Sequence, residues 1–513
     1  MANKAIFASA APADVTRNNA GGVAYAMAAE VALAQYVMTG TFNSTFYADA
    51  KADTARVVEL ALQAEPEYLA KLAVYARESG YMKDAPAAML AVLSTRSPEL
   101  FRKVFLRVID NGKMLRTFVQ VVRSGATGRK SLGSAPKRMV AAFLEQASET
   151  MLINAVGQDP SLGDVIKLSR PKARDASQEA AFGYFIGKLA ANDSRLPETI
   201  RRLEAFRVGE SLELPKVDFR LLSQLPLSAE NWKDIARNAP WQATRMNLNT
   251  FARHGVFEDA ELTAAIADRL RDRSLIARGK AFPYQLLAAY LNIDAAVPRV
   301  VAEALVDAAE LATANVPAID GRIFVFPDVS GSMRSPATGY RRGASSKVRC
   351  VDVAALVAAA VLRKNPQAEV IPFENQVVSL RLSPRDTLLT NAEKLAAVGG
   401  GGTACSAPLR LLNKRKAKGD LLIYVSDNES WLDVGNNQRT ETEAQWNAFS
   451  KRNPDAKLAC IDITPNATNQ ARSRQNVLNV GGFSDAVFDT LAAFAVGDLA
   501  GDGLVARVKD VSL

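Results

Sequence analysis

Histidine is nearly absent from this sequence, which has one, His254, among 513 residues. A zinc site of cysteines and histidines, a metalloprotease helix with two zinc-binding histidines and a histidine proton relay are therefore excluded or severely limited. His254 could still complete a Ser-His-Asp triad, but the sequence has no G-x-S-x-G motif to supply the nucleophile. These absences indicate a protein with no hydrolytic chemistry of this kind.

Cysteines and long apolar runs are also scarce. Cys350, Cys405 and Cys460 are too few and too far apart for a disulfide framework, and their spacing matches no metal-binding motif, which favours a reducing cytoplasm. No apolar run approaches the roughly 20 residues that cross a bilayer, so no membrane span is predicted. The opening residues, MANKAIFASAAPA, have too short an apolar core for a signal peptide, and we interpret residues 1–18 as a flexible N-terminal extension.

Acidic residues are nearly missing from one stretch. The whole chain carries a net charge of only +9, but residues 101–140 contain ten lysines and arginines against one acidic residue. A solvated helix face would explain such a run. The basic residues, however, extend into a flexible loop, SGATGRKSLGSAPKR, where cations beside free backbone N–H groups suit phosphates. With a second basic segment, IKLSRPKAR, this predicts a polyanion-binding surface with the candidate residues Arg129, Lys130, Lys137, Arg138, Lys167, Arg170, Lys172 and Arg174.

The residue pattern changes near residue 320. Before it, segments such as ADTARVVELALQA and SPELFRKVFLRVID have apolar residues at three- and four-residue spacing, and their short connections predict an α-solenoid of serial helix pairs. After it, the apolar runs RIFVFPDVS, AEVIPFEN, GDLLIYVSDNES and AKLACIDIT alternate with helical stretches, which predicts a doubly wound α/β domain with a parallel sheet. We therefore predict a helical module at residues 19–318 and an α/β domain at residues 319–513.

Oxygen-bearing side chains lie in three loops of the predicted α/β domain. In IFVFPDVSGSM an apolar strand stops at Asp328, and Ser330 and Ser332 follow at alternate positions. Thr403 lies in the loop GGGGTACSAP, and Asp427 ends the strand of LLIYVSDNES. A serine-rich turn would account for the first loop alone, but the carboxyl ends of parallel strands meet at one edge of a sheet. Hydroxyl and carboxylate oxygens from three loops would there suit a hard cation such as Mg²⁺.

The order D-x-S-x-S, then G-G-T, then a strand-ending aspartate resembles the metal-ion-dependent adhesion site of von Willebrand factor A (vWA) domains. The resemblance implies that Ser330, Ser332 and Thr403 coordinate the ion and that Asp328 and Asp427 support it directly or through water. It also implies that an acidic group of a ligand completes the octahedron. The implied ion is Mg²⁺, with Mn²⁺ or Ca²⁺ as alternatives.

The helical region resembles the TROVE module of Ro proteins, an RNA-binding autoantigen family with bacterial members. The similar segments are RTFVQVVRSGATGRKSLGSAPKRMVAAFLE, GDVIKLSRPKA and ARGKAFPYQLLAAY, and the order of helical module and vWA domain is that of the family. The resemblance implies a monomeric ring of HEAT-like repeats closed by the vWA domain. It further implies small noncoding Y RNA on the outer basic surface and single-stranded 3′ ends of misfolded RNA in the central hole.

Two segments depart from the family pattern. The family motif resembles D-L-L-R-L-S-H-x-K-P, and DVIKLSRPKA stands in its place, with Arg170 where eukaryotic members have histidine and Pro171 displaced by one position. These departures keep the positive charge and leave the base or phosphate contact open. Phe282 replaces another family histidine, ahead of Pro283, and is predicted to be a packing residue, with base stacking as the alternative.

The sequence and the resemblance together favour a non-catalytic, cytoplasmic RNA-binding protein of RNA quality control, with an exoribonuclease or other protein as an additional partner of the vWA domain. The alternative is a metal-dependent vWA protein or AAA+ cofactor that binds protein partners and uses its helical half as a scaffold. That alternative leaves the basic stretch unexplained. Metal-assisted nucleotide hydrolysis, a third hypothesis, lacks a Walker lysine loop.

Overall fold

The structure is a computed structural model that describes residues 14–39, 50–80, 82–128, 130–217, 219–279, 281–340, 347–433, 439–465, 468–482, 486–499 and 503–513. It divides into two compact units. Unit 1 comprises Met1–Thr54 and Ala236–Ala506, and unit 2 comprises Ala55–Ile235 and Arg507–Leu513. The domain ranges 1–18, 19–318 and 319–513 follow the change in residue pattern, not compactness, and they stay a prediction.

Unit 1 begins, within the described residues, with a β-hairpin. Strand β1 (Val15–Arg17) pairs antiparallel with β2 (Val23–Ala26), and helix α1 (Ala29–Thr39) follows. Residues 15–17 lie inside the predicted N-terminal extension of residues 1–18, of which residues 1–13 fall outside the described residues. The sequence did not predict this hairpin, because strands of three and four residues carry almost no periodic signal.

Unit 2 is helical throughout its described residues. Its helices are α2 (Ala50–Gln63), α3 (Pro66–Glu78), α4 (Asp84–Arg96), α5 (Pro98–Val108), α6 (Gly112–Arg123), α7 (Ser134–Gln146), α8 (Glu149–Asn154), α9 (Leu162–Ser169), α10 (Ala176–Phe185), α11 (Glu198–Arg207), α12 (Phe219–Leu222) and α13 (Ala229–Asn238). Helices α2 and α13 each extend across a boundary into unit 1.

Serial packing organises these helices. Helix α3 packs on α4 and α5, α4 on α6, α5 on α7, α6 on α8, and α7 on α9, so that each of the helices α3 to α7 contacts the next but one in sequence. Polar residues cap the starts of helices, as where the Asn111 side chain accepts a hydrogen bond from the Met114 N–H at 3.0 Å. The rings of Phe101, Phe105 and Phe118 lie 5.2 to 5.7 Å apart in the interior. This arrangement confirms the predicted solenoid-like helical region.

The rest of unit 1 starts with more helices and continues into a parallel sheet. The helices before the sheet are α14 (Trp241–Met246), α15 (Leu248–Arg253), α16 (Ala260–Leu270), α17 (Arg273–Arg278), α18 (Pro283–Asn292) and α19 (Arg299–Ala312). Phe282, just before α18, is buried and stacks on Phe488 at a ring distance of 6.1 Å. Its predicted packing role is therefore confirmed.

The sheet of the α/β domain has five parallel strands in the order β4-β3-β5-β6-β8. These strands are β3 (Ile323–Pro327), β4 (Glu369–Val370), β5 (Leu421–Ser426), β6 (Lys457–Asp462) and β8 (Val477–Gly481). All residues of β3 and β5 are buried, as expected of central strands covered on both faces. The doubly wound fold and four of the strands are thereby confirmed, whereas β8 was not predicted.

Six α-helices follow β3 in the described part of the chain. They are α20 (Cys350–Lys364), α21 (Leu388–Ala396), α22 (Ala407–Lys414), α23 (Glu441–Arg452), α24 (Ala486–Val496) and α25 (Gly503–Lys509), the last of which continues into unit 2. Helix α20 packs on β3, β4 and β5, and the aromatic residues Phe324, Phe326, Trp446 and Phe449 fill a core shared with α22 and α23. Within the described residues, no helix is long and apolar enough to cross a membrane.

A second, smaller sheet contains the N-terminal hairpin. Its third strand is β7 (Thr468–Asn469), which pairs antiparallel with β2 through Tyr25 opposite Asn469 and Ala26 opposite Thr468. The Tyr25 hydroxyl accepts a hydrogen bond from the Thr440 N–H at 2.9 Å, and the Arg472 guanidinium lies 3.9 Å from the centre of the Tyr25 ring. The hairpin is thus an integral part of unit 1.

Candidate metal site and nucleic-acid interface

Three loops at the carboxyl ends of β3 and β5 and before α22 are joined by backbone hydrogen bonds. The Gly331 N–H donates to the Gly401 carbonyl at 2.8 Å, and the Gly400 N–H donates to the Val329 carbonyl at 2.8 Å. The N–H groups of Trp431 and Leu432 donate to the Thr403 carbonyl at 3.2 and 3.1 Å. The structure therefore brings together the D-x-S-x-S loop, the glycine-rich loop and the loop after Asp427, as the sequence predicts.

The predicted metal ligands are buried at this junction. Asp328 and Ser330 are 0% exposed, Thr403 is 1% exposed, Asp427 is 3% exposed, and Ser332 is 8% exposed. The hydroxyl oxygens of Ser330 and Ser332 lie 3.4 Å apart. Hydroxyl and carboxylate oxygens thus converge in an interior that water cannot fully solvate.

Burial raises the pKa of both carboxylates, Asp328 and Asp427. It raises the pKa of Asp328 to about 7, with repulsion from Asp427 as the second cause. The groups that oppose this shift are Ser426, whose hydroxyl donates to Asp328 Oδ2 at 2.6 Å, and Ser330, whose N–H donates to Asp328 Oδ1 at 2.8 Å. Burial also raises the pKa of Asp427. Two adjacent buried acids thus receive hydrogen bonds from neutral donors.

These residues fit a hard divalent cation. Two carboxylates and three hydroxyls form an all-oxygen donor set of the kind that Mg²⁺ and Mn²⁺ accept, and a cation would remove the repulsion between Asp328 and Asp427. Within the described ranges, no group of three or more His, Cys, Asp and Glu side chains is placed to hold a metal ion, so a site in these residues depends on its hydroxyls. The metal ligands nevertheless stay a prediction.

A third buried acid, Asp462, lies at the end of β6. Within the described residues neither of its carboxylate oxygens has a hydrogen-bond partner of normal geometry, and the side chain is 2% exposed. Burial raises the pKa of Asp462 well above its ordinary value, and the charges of Asp427 and Glu429 add to the shift. Ionisation of the Asp462 carboxyl therefore lowers the stability of the folded protein.

Replacing Asp462 with asparagine should stabilise the metal-free protein at pH 8 more than at pH 5. A raised folded-state pKa favours folding below the unfolded value of 3.8, and this benefit is lost as pH rises through the folded pKa. We expect the melting temperature in EDTA to rise by about 2 °C or more at pH 8, with a smaller change at pH 5. Asp455→Asn, at an exposed site of the same domain, is the control. An equal shift at both pH values would contradict the titration argument.

A basic cavity lies in unit 2 at the start of α7. Its volume is about 420 Å³, and its lining includes Arg123, Lys130, Lys137 and Leu168. Gly133 precedes α7 with φ of 73°, a conformation that glycine adopts readily, and no side chain of a described residue caps the first turn of the helix. The positive end of the helix dipole therefore lies beside a cavity whose lining includes three cations.

The predicted polyanion-binding residues fall into three groups. Lys130 and Lys137 line the cavity, while Arg138 is exposed at the start of the second turn of α7. Lys167, Arg170, Lys172 and Arg174 are exposed at the end of α9 and in the segment after it. Arg129 lies outside the described residues. Helix α7 packs on α9, so the two basic segments belong to one region of unit 2.

Most of the described candidate cations are not neutralised by an ion pair. Arg174 pairs with its neighbour Asp175 at 3.1 Å, whereas the other described candidates, Lys130, Lys137, Arg138, Lys167, Arg170 and Lys172, form no ion pair among the residues that the structure describes. Arg170 ends α9 in a left-handed conformation with φ of 53°. The role of each residue in binding stays a prediction.

Sequence reasoning did not single out Arg123, the last residue of α6, although it lines the cavity with Lys130 and Lys137. Its position directly before the glycine- and serine-rich loop was the available signal. Both Arg123 and Lys167 act on the carboxyl of Asp164, lowering its pKa, although the hydrogen bonds from Ser161 lower it more. The cavity and the α9 segment therefore share one electrostatic environment.

Comparisons with known proteins cover most of the chain. Residues 322–495 match the family described as the Ro60 vWA domain. The chain is 26% identical over 524 aligned residues to a Deinococcus radiodurans protein named RNA-binding protein RO60, covering 94% of this chain and 96% of that one. The fold matches the crystal structure of the Deinococcus radiodurans RO (RSR) protein with a TM-score of 0.65 at 22% identity, covering 92% of this chain and 100% of that one.

Proposed function

Because the chain is Ro-like along nearly its whole length and contains a Ro60-type vWA domain, we propose that it is a non-catalytic RNA-binding protein. The relative from Deinococcus radiodurans is named for RNA binding, which supports this class of function. The finer proposal is that the protein binds small noncoding Y-type RNA and the single-stranded 3′ ends of misfolded RNA, in cytoplasmic RNA quality control.

One observation in the molecule itself carries the proposal. The cavity at the start of α7 brings three cations, Arg123, Lys130 and Lys137, beside the positive end of a helix dipole. Both features favour a phosphate group, and a run of phosphates on RNA would also engage the exposed cations that follow α9. The alternative in which the helical half is only a scaffold for the vWA domain does not explain this cluster of cations.

The vWA domain adds a second proposed site. We propose that Asp328, Ser330, Ser332, Thr403 and Asp427 hold Mg²⁺, or Mn²⁺ in its place. The ion would offer a docking point for an exoribonuclease or another protein with an acidic group.

Protein binding without RNA is the second candidate function. Trp431, which is 50% exposed, and the adjacent Leu432 donate backbone hydrogen bonds to Thr403 and offer apolar surface beside the proposed metal site. The test is direct binding of a small structured RNA at 50 and 200 mM salt. Affinity that falls steeply with salt supports the RNA-binding proposal, and no measurable affinity at 50 mM salt would favour the protein-binding alternative.

An RNA helix with a single-stranded 3′ tail should bind about tenfold more tightly than a blunt helix of the same total charge, a difference of about 1.4 kcal/mol. The Ro resemblance implies a ring whose hole admits one strand, and an A-form duplex is too wide to follow it. The measurement is a competition assay at fixed salt, repeated after Lys130, Lys137 and Arg138 are changed to alanine. Equal competition by the two RNAs would show that no hole is used.

A further inference from the structure

The loop that follows β5 is held between the small sheet and the proposed metal site. Asn428, Glu429 and Ser430, which directly follow the predicted ligand Asp427, are all buried although all are polar. Each residue accepts a hydrogen bond from the N-terminal hairpin or from the residue after β7. Each also donates a hydrogen bond to a predicted metal ligand or to Ser426, which binds one. These two sets of hydrogen bonds connect the small sheet to the proposed metal site.

The hydrogen bonds on the outer side come from the hairpin and from the residue after β7. The Asn18 amide donates to the Ser430 carbonyl at 2.8 Å, and the Ala20 N–H donates to the Glu429 carboxylate at 3.0 Å. The Gln470 amide donates to the Asn428 carbonyl at 2.9 Å. Each of the three loop residues is therefore fixed by a different donor.

Two residues of the hairpin turn, Asn18 and Gly22, allow it to lie close to the loop after β5. Asn18 also accepts a hydrogen bond from the Gly22 N–H at 2.7 Å, so one side chain both closes the turn and binds the loop. A Cβ at residue 22 would overlap the Ser430 carbonyl oxygen, and only glycine allows the two backbones to lie so close. The sequence of this turn thus specifies docking on the loop as well as the turn itself.

The hydrogen bonds on the inner side reach the predicted metal ligands. The Asn428 N–H donates at 3.0 Å to the Ser426 hydroxyl, which donates to Asp328. The Glu429 N–H donates to Asp427 Oδ1 at 3.2 Å, and the Ser430 hydroxyl donates to the Thr403 carbonyl at 3.3 Å. Displacement of the loop would therefore disturb three of the five predicted ligands.

We propose that the N-terminal hairpin, residues 14–26, is a positioning element for the metal site, so that hairpin docking and divalent-cation binding are coupled. The inference rests on the metal site proposed above. Groups in the outer shell of a metal site fix the orientation of its ligands, and removal of one such group typically weakens metal binding by about 10- to 100-fold. Coupling is reciprocal, so the cation must stabilise the docked hairpin by the same factor.

The first arm of the test measures Mn²⁺ affinity by calorimetry in the full chain. Asn18→Ala removes the bond to the loop, and Gly22→Val obstructs the close approach, so each should weaken Mn²⁺ binding by about tenfold or more. Asn19→Ala is the matched control, because it makes the same change at the adjacent, exposed position. Thermal unfolding of each variant in EDTA reports any decrease in stability separately.

The second arm measures the reciprocal effect by limited proteolysis. Arg17 is exposed in β1 and is followed by the buried Asn18, so trypsin can cut between them only when the hairpin opens. Saturating Mn²⁺ should slow release of the peptide that ends at Arg17 by about tenfold, the factor by which the hairpin variants lose affinity. Mn²⁺ should give no protection in Asp328→Ala. Arg17→Gln removes the cleavage site, so the peptide that is missing from its digest is the one that ends at residue 17.

The outcomes distinguish the two proposals. If the parent chain binds no Mn²⁺, the metal site itself is wrong. If the parent binds Mn²⁺ and Asp328→Ala does not, but Asn18→Ala and Gly22→Val bind as the parent does, the metal site stands and the positioning role is overturned. Lower melting temperatures with unchanged Mn²⁺ affinity would likewise show that the hairpin only stabilises the fold.

Discussion

Replacing Asp328 with alanine should abolish Mn²⁺ and Mg²⁺ binding to the vWA domain while RNA affinity stays within about twofold of the parent. Asp328 is fully buried between Ser330 and Ser426, and a divalent cation needs its negative charge in a site that water cannot reach. The cavity proposed for RNA belongs to the other compact unit, so it shares no residue with this site. Calorimetry with MnCl₂ and a filter-binding assay with a structured RNA measure the two effects.

Two further variants keep this result interpretable. Asp328→Asn retains the size of the side chain and an oxygen for the Ser426 hydroxyl, so it tests the charge without leaving a space. Asp455→Ala removes a carboxylate from an exposed position of the same domain and should bind Mn²⁺ as the parent does. Equal heats of Mn²⁺ binding in the parent and both Asp328 variants would refute the assignment of the ligands.

Changing Arg123, Lys130 and Lys137 together to alanine should weaken binding of a structured RNA by about 100-fold near physiological salt, since each cation that binds a phosphate contributes on the order of 1 kcal/mol. The three side chains line one cavity and form no ion pair with another described residue. Neutralising a phosphate releases counterions, so the slope of log affinity against log salt should become shallower by about 0.9 for each phosphate-binding cation that is removed. A salt titration of parent and variant measures both quantities.

The matched control removes the same formal charge from elsewhere in unit 2. Lys188, Arg201 and Lys216 are exposed and lie outside the cavity, and their replacement by alanine should change the affinity much less than the cavity variant does. If the two triple variants reduce affinity equally, the protein binds RNA through its overall charge. If the slope is unchanged in the cavity variant, Arg123, Lys130 and Lys137 do not bind phosphates.

Strong local patterns explain which parts of the fold the sequence predicted. The run from Ile323 to Pro327 is apolar because both faces of the sheet are covered, and the same holds for Leu421–Ser426. Because parallel strands end at one edge, strand direction was enough to place Asp328 near Asp427, whereas Thr403 lies between α21 and α22 and was placed beside them by the resemblance to vWA domains. The closeness of Asp328 and Asp427 was predictable because it depends on strand direction, whereas the metal ligands themselves stay a prediction.

Features that depend on distant partners were missed. The strand Val15–Arg17 is three residues long, and its hairpin gains a third strand only from Thr468–Asn469, so its stability is not visible in its own residues. Arg123 looked like any basic residue at the end of a helix, because its neighbours in the cavity come from the next loop and from α7 and α9. Local sequence carries little information about such tertiary environments.

The pairing of the N-terminal hairpin with residues distant in the sequence also has a consequence for biosynthesis. Asn18 and the loop residue Ser430 are separated by 412 positions, and Lys71 and Arg107 of unit 2 donate hydrogen bonds to the carbonyls of Lys509 and Ser512. At a translation rate of about 5 to 20 residues per second, the hairpin waits roughly 20 to 80 s for the segment on which it docks. During that interval, the ribosome-bound chain exposes the edge of β2 without its partner strand. Unit 1 therefore lacks part of its native interactions until Ser430 has been synthesised, and unit 2 until Ser512 has been synthesised.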